Sequence, residues 1–228
     1  MKCKKLGNQL LLFTFKTQKE ITMTFFRMEE YYESPLKGLF RNHFTVWDFL
    51  NESMDEKGNI NYFSKWIGFN IPGNHILDWI ELHLFSLTPK EEEVIRHINN
   101  KIDVSKPFYI IAANEKNTNV MDHEIAHALY YLNPVYKVDM DSLTHSAELH
   151  FPENFKRLRR YLKDLGYNEK VYNDEIQAYL ATEKKSRLKD KDDFNLKCNK
   201  QFMLYVEDYR TILQEFKSEL DNVVEIMI

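Results

Sequence analysis

A five-residue pattern, His-Glu-x-x-His, constrains this chain more than any other feature of its sequence. It lies in Met121–Ala128, where His123 and His127 enclose Glu124 and two apolar residues. Residues four apart on an α-helix lie on the same face, one turn from each other. Two imidazoles placed in this way can bind one metal ion, and zinc takes nitrogen ligands in a tetrahedral shell that keeps one position for water. The pattern therefore predicts a zinc site on a helix.

The surrounding residues predict where this helix begins and ends. Asn117–Asn119 offers side chains that cap a helix N-terminus, and Asn133–Pro134 ends the helix because proline disfavours helical geometry in the residue before it. The upstream segment Pro107–Asn114 is short, apolar and rich in residues that favour β-structure, so we expect a strand there. The residues that make the helix apolar on most sides are Val120, Ile125, Ala126, Ala128, Leu129 and Leu132. Two histidines and a carboxylate on a buried helix are costly unless a partner such as a metal ion binds them.

A strand that leads into a His-Glu-x-x-His helix resembles the zincin metallopeptidases. Within the zincins, the metzincin pattern requires a glycine and a third histidine, and this chain has Tyr130 and Asn133 at those positions. Nor does a histidine follow His127 by four residues, since Tyr131 occupies that position. What remains resembles the gluzincin pattern, in which a glutamate on a later helix supplies the third zinc ligand. The resemblance covers roughly residues 105–182.

Glu175 is the third ligand that the gluzincin resemblance implies. It lies in Asn173–Ala181, where Asp174 and Gln177 resemble a capping box and predict the start of a helix. Glu175 and Tyr179 share one face of that helix. The segment after the motif helix is polar and is interpreted as a loop. This segment, Asp139–Pro152, contains four alternatives for the third ligand: Asp141, His145, Glu148 and His150.

The resemblance implies a zinc-dependent metallopeptidase that acts on a peptide or protein substrate, with endopeptidase and exopeptidase activity both left open. Zinc would lower the pKa of its bound water towards 7 and polarise the scissile carbonyl. Glu124 points about 100° round the helix from His123, so we expect it to be the general base and not a ligand. Asp122 and Asp174 are both candidates to orient a ligand imidazole. The group that stabilises the oxyanion is left open among Tyr131, Tyr136, His145, His150 and Tyr179.

The predicted fold class is α+β and zincin-like, with a small mixed sheet, an edge strand beside the active-site helix, and a mainly helical C-terminal half. We expect Phe108–Ala113 to be that edge strand, where an extended peptide substrate would pair; an ordinary buried strand is the alternative. Residues 1–28 are expected to form an N-terminal extension of uncertain order. Residues 29–228 are expected to form one catalytic domain, with an α/β upper part to about residue 135 and a helical lower part over about residues 150–228.

Smaller patterns predict further elements. Asn70–Asn74 is interpreted as a turn. Thr88–Glu91 is typical of a helix start, with a capping residue, a proline in the first turn and a capping-box glutamate. Helical spacing of apolar residues extends over residues 153–165, 174–182 and 196–220.

Charge, cysteine spacing and the length of apolar stretches argue against several classes of function. A net charge of −4 gives no electrostatic basis for nucleic-acid binding, and Cys3 and Cys198 match no metal or redox spacing. No apolar stretch approaches the length of a membrane span. Met1–Lys5 and Leu10–Phe13 are too short and interrupted for a signal peptide, so we expect a cytoplasmic protein, with export that needs no signal peptide left open. A zincin-like protein that binds partners without catalysis and a helical scaffold without metal are the alternative functions.

Overall fold

The computed structural model of the chain describes residues 1–33, 40, 42–60, 62, 67–191 and 193–225. The described part is a mixed α+β structure, mostly helical, with one four-stranded sheet. It divides into two compact units. One consists of Met1–Glu124 with the last described residues from Val223 onwards, and the other of Ile125–Asn222. The division falls inside the helix that carries the His-Glu-x-x-His pattern, and not near residue 135, where the sequence suggested a change from an upper to a lower part.

Four strands form the sheet of the first unit: β1 (Lys2–Leu6), β2 (Leu10–Phe15), β3 (Gly68–Pro72) and β4 (Tyr109–Asn114). Their order across the sheet is β1-β2-β4-β3. β1 and β2 form an antiparallel hairpin, β2 runs parallel to β4, and β3 runs antiparallel to β4. All but the last residue of β4 are buried, as expected for a strand with neighbours on both sides and apolar residues on both faces.

The central place of β4 corrects two predictions. The predicted strand is present, but Phe108–Ala113 is not an edge, because β2 and β3 bond to its two sides. The edge strands of the described sheet are β1 and β3. Asn70–Asn74 is likewise not a turn, since Asn70 lies in β3 and a helix begins at Gly73. Both corrections follow from strand pairing between segments that are far apart in the sequence, which local patterns do not reveal.

The helices of the first unit are α1 (Gln18–Glu33), α2 (Val46–Ser53), α3 (Gly73–His83) and α4 (Pro89–Lys101), and α5 (Thr118–Leu132) begins there. The capping box predicted for α4 is confirmed, with Thr88 and Glu91 bonded reciprocally. Residues 1–28 differ from the predicted extension of uncertain order. They supply β1, β2 and most of α1, and Leu11, Phe13 and Phe25 from this segment lie fully buried in the main hydrophobic core. Burial of these apolar side chains provides the stabilisation that orders the segment.

A buried ion pair joins α1 to α4. Arg27 Nε donates to Glu91 Oε1 at 2.9 Å, and Arg27 Nη2 donates to Glu91 Oε2 at 3.1 Å. Two further guanidinium protons are donated to the backbone carbonyls of Phe44 and Ser86. Both charged side chains are about 1% exposed. These four hydrogen bonds offset the cost of removing two charges from water.

Among the described residues, the second unit contains the end of α5, the helices α6 (Pro134–His150), α7 (Pro152–Asp164), α8 (Tyr172–Thr182) and α9 (Lys185–Lys189), and α10 (Lys200–Glu225) as far as Asn222. The mainly helical C-terminal half is thus confirmed. The loop predicted for Asp139–Pro152 is wrong, because α6 continues to His150 and buries Met140, Thr144 and Ala147 at helical spacing. The prediction was wrong because the residues between these buried positions are polar, as in a loop. Among the described residues, no helix combines the length and apolar character that a bilayer crossing needs.

Candidate metal centre

Helix α5 has the predicted ends. The Val120 amide donates to Asn117 Oδ1 at 3.4 Å at its start. At the other end, Asn133 accepts hydrogen bonds from the amides of Val135 and Tyr136 and so caps the next helix. The helix runs without interruption from Thr118 to Leu132, so the two histidines of the motif lie one turn apart on one side of it.

His123, His127 and Glu175 come together as predicted. Each offers one ligand atom, and these atoms lie within 4.8 Å of one another. His127 and Glu175 are buried, at 3% and 7% exposure, and His123 is half-buried. Zinc bonds of about 2.0–2.2 Å hold tetrahedral ligand atoms roughly 3.3–3.6 Å apart, close to the 3.8 Å between His127 Nε2 and Glu175 Oε1. The donor set of two imidazoles and one carboxylate therefore fits zinc, and would supply three ligands of a tetrahedral shell.

The alternative third ligands lie outside this cluster, which is the one such group among the described residues. Their side chains are on α6 and have other surroundings. His145 and His150 are exposed, and Glu148 is bonded through both oxygens to Arg159. Asp141 accepts hydrogen bonds from Tyr130 and Lys137. Of the five candidates, the structure brings only Glu175 to the two histidines.

Asp174 orients His127. The Nδ1 atom of His127 lies 2.9 Å from Asp174 Oδ1. An ionised carboxylate can only accept, so Nδ1 carries the proton and Nε2 presents its lone pair on the side of Glu175. The predicted capping box of Asp174 and Gln177 is not formed, because α8 begins at Tyr172 without a side-chain cap. Gln177 donates instead to the carboxylate of Asp174, at 3.0 Å.

Gln177 has a further partner. The hydroxyl of Tyr136, on α6, donates to Gln177 Oε1 at 2.8 Å. Burial, and to a smaller extent the charge of Asp174, raises the pKa of Tyr136, which keeps this hydroxyl protonated. A continuous set of hydrogen bonds therefore connects Tyr136, Gln177, Asp174 and His127, and we refer to it as the Gln177 chain.

Glu124 lies outside the ligand cluster, and a residue of the sheet holds its carboxylate. Asn70, on the edge strand β3, donates from Nδ2 to Glu124 Oε2 at 2.9 Å. The hydroxyl of Tyr109, on β4, donates to Asn70 Oδ1 at 2.6 Å and fixes which end of the amide faces the carboxylate. Glu124 is 6% exposed. A buried carboxylate beside the first histidine is thereby fixed in one orientation by an amide.

Gly68 makes this approach of Glu124 possible. A Cβ atom at position 68 would lie 2.2 Å from Glu124 Oε1 and 2.7 Å from Val120 Cγ1. Both distances are far below a van der Waals contact, so any side chain at this position would force the carboxylate away. β3 accepts the glycine because it is a short edge strand.

The candidates for oxyanion stabilisation differ in their surroundings. Tyr136 is fully buried and donates to Gln177, which removes it from this role. Tyr179 packs edge-on against Tyr161 and Phe194. Burial, and after it the charge of Glu175, raises the pKa of Tyr179. Tyr131 is exposed on α5. The oxyanion role stays a prediction for Tyr131, Tyr179, His145 and His150.

Three contributors to this centre escaped the sequence analysis: Gly68, Asn70 and Tyr109. A fourth, Tyr136, was considered only as a group that stabilises the oxyanion. A fifth, Gln177, was noticed but given a capping role. Their positions depend on partners far along the chain, and no local pattern marks them. Comparisons with protein-family models, with curated proteins and with solved structures find no match. The function of the centre therefore has to be inferred from its own chemistry.

Proposed function

We propose that this protein is a zinc-dependent metallopeptidase of gluzincin type. His123, His127 and Glu175 hold the zinc ion, and Glu124 is the general base. The observation that carries the proposal is the cluster of three ligand atoms within 4.8 Å of one another, with the third ligand contributed by a separate helix. Three protein ligands with an open fourth position are typical of catalytic zinc and not of structural zinc.

The side chains of the centre would have separate roles in hydrolysis. A bound zinc ion supplies Lewis acidity, which polarises a carbonyl and makes water acidic enough to ionise near neutral pH. Glu124, held by the Asn70 amide, accepts a proton from the attacking water and delivers it to the leaving amine. Asp174 keeps the proton of His127 on Nδ1, so that Nε2 remains a ligand.

An extended peptide is the substrate class that suits the sheet. Among the described residues, β3 pairs on one side only, with β4. Backbone groups on the other side of such an edge strand can bond to an added peptide strand. Asn70 lies in the middle of β3 and bonds to the proposed base, so a peptide aligned on this edge would pass close to Glu124.

Glu124→Gln tests the proposal because it keeps the size of the side chain and removes the base. We expect this variant to retain zinc, measured by mass spectrometry of the purified protein, and to lose peptide hydrolysis by about 10²–10⁴-fold. Glu175→Gln and His127→Ala should lose zinc. Cleavage is followed on a mixed peptide library. Wild-type protein with no stoichiometric zinc, or a Glu124→Gln variant that cleaves like the wild type, would contradict the proposal. A zinc-loaded wild type that cleaves nothing would favour the non-catalytic binding protein.

A further inference from the structure

We propose that Gln177 and Tyr136 are positioning residues for the metal centre, which act on His127 through Asp174. This inference rests on the proposed function, because it takes His127 to be a metal ligand. Neither Gln177 nor Tyr136 belongs to the ligand cluster. The effect of Gln177 passes through two hydrogen bonds before it reaches the imidazole, and that of Tyr136 passes through three.

The direction of every hydrogen bond in the Gln177 chain follows from one fixed point. The carboxylate of Asp174 has no proton to donate, so the amide of Gln177 must turn its Nε2 towards Asp174. Its Oε1 then faces Tyr136, whose hydroxyl must donate. The same carboxylate oxygen accepts from His127 Nδ1. Each group has one orientation that satisfies its neighbours, and together they specify one tautomer of the ligand imidazole.

Burial of Gln177 and Tyr136 restricts the rotamers of the Gln177 chain. Asp174 without these two partners would be less restricted. Tyr136 and Gln177 are both fully buried, and a buried amide or hydroxyl that lost its partner would be strongly disfavoured. Asp174 has 27% of its side chain exposed, so it borders water. Gln177 therefore keeps a partly exposed carboxylate in the rotamer that meets His127.

Zinc affinity is the measurement that separates this role from ordinary core packing. Gln177→Leu removes the donor to Asp174, and Tyr136→Phe removes the hydroxyl that orients the amide. Loss of such outer contacts typically weakens metal binding by 10–100-fold, and we expect a dissociation constant on the order of tenfold higher for Gln177→Leu. The zinc dissociation constant is obtained by competition with a chromophoric chelator, on the full chain.

Tyr209→Phe is the matched control. Tyr209 is also fully buried and donates to Thr144 at 2.8 Å, but it lies outside the Gln177 chain. It should lower thermal stability about as much as Tyr136→Phe and leave zinc affinity unchanged. Equal dissociation constants for wild type, Gln177→Leu, Tyr136→Phe and Tyr209→Phe would overturn the inference while leaving the metallopeptidase proposal intact. Absence of zinc binding by the wild type would overturn both.

A second measurement reports on His127 without any metal. In metal-free protein, ¹⁵N chemical shifts of the imidazole distinguish Nδ1 protonation from Nε2 protonation. We expect His127 of the wild type to be protonated on Nδ1, and Gln177→Leu to give a mixture of the two tautomers. Protonation on Nε2 in the wild type, or an unchanged tautomer in Gln177→Leu, would overturn the inference.

Discussion

At the scale of single residues, Asn70 controls the side chain proposed as the base. Asn70→Ala removes the hydrogen bond to Glu124 Oε2 and frees its rotamers. We expect kcat to fall on the order of tenfold with KM and zinc content unchanged, because the lost interaction orients a catalytic group and binds neither substrate nor metal. Steady-state kinetics with zinc analysis test this. Asn74→Ala, at an exposed position on α3, is the control. A change in KM alone would contradict the assignment.

Gly68 gives a second prediction at this scale. A methyl group at position 68 would overlap Glu124 Oε1, so Gly68→Ala should displace the carboxylate and abolish most turnover while zinc stays bound. Gly73→Ala is a matched control, because its methyl group would crowd the ring of Phe108 at 2.5 Å and does not touch Glu124. Both variants should be less stable, and only Gly68→Ala should lose activity per folded molecule. Equal activity losses would show that crowding of the core alone is responsible.

At the scale of elements, the ion pair between α1 and α4 makes the first unit sensitive to the loss of either partner. Glu91→Ala leaves the Arg27 guanidinium buried without its counter-charge and also removes the capping box of α4. Breaking one side of a buried pair costs about 3–5 kcal/mol, and urea denaturation should report a loss of this size. Glu92→Ala, exposed on the same helix, should change stability by less than about 0.5 kcal/mol. Similar values for the two variants would contradict the prediction.

The helices and strands differ in how well the sequence predicts them. Helix α5 was predictable because its apolar spacing and its flanking asparagine and proline are local signals. Glu175 was reached through resemblance to gluzincins and not through spacing. β3 was misinterpreted because Asn70, Pro72 and Gly73 are common in turns, and only pairing with β4 makes the segment a strand. α6 was misinterpreted because its exposed face is polar, although its buried face has helical periodicity.

At the scale of the whole molecule, His83 predicts how stability depends on pH. Burial lowers its pKa from 6.5 to about 4, with a smaller contribution from the charge of Arg27. Its Nδ1 lies 2.9 Å from the Trp79 carbonyl and its Nε2 accepts from the Phe44 amide, so the neutral ring is fully bonded. Because the unfolded chain takes up this proton first, the stabilisation is complete above pH 6.5 and is lost as the pH falls towards 4.

Unfolding by urea at several pH values measures this dependence. Each pKa unit corresponds to about 1.4 kcal/mol, so the loss attributable to His83 should not exceed about 3.5 kcal/mol. His83→Gln should flatten the profile between pH 6.5 and 4. His145→Gln, at an exposed position, should leave it unchanged. A wild-type profile that stays flat in this window would contradict the burial of a neutral imidazole.

The placement of β4 has a consequence for synthesis on the ribosome. β4 is the last of the four described strands to be translated, yet it lies between β2 and β3, so β2 and β3 cannot become parts of one sheet until Asn114 has left the exit tunnel. The hairpin of β1 and β2 must therefore wait for about a hundred residues, which at 5–20 residues per second is about 5–20 s of exposure. Thr118, the first residue of the motif helix, emerges immediately afterwards. A nascent chain whose Tyr109 has not yet left the tunnel should therefore be captured readily by chaperones, and one whose Leu132 has left the tunnel should not.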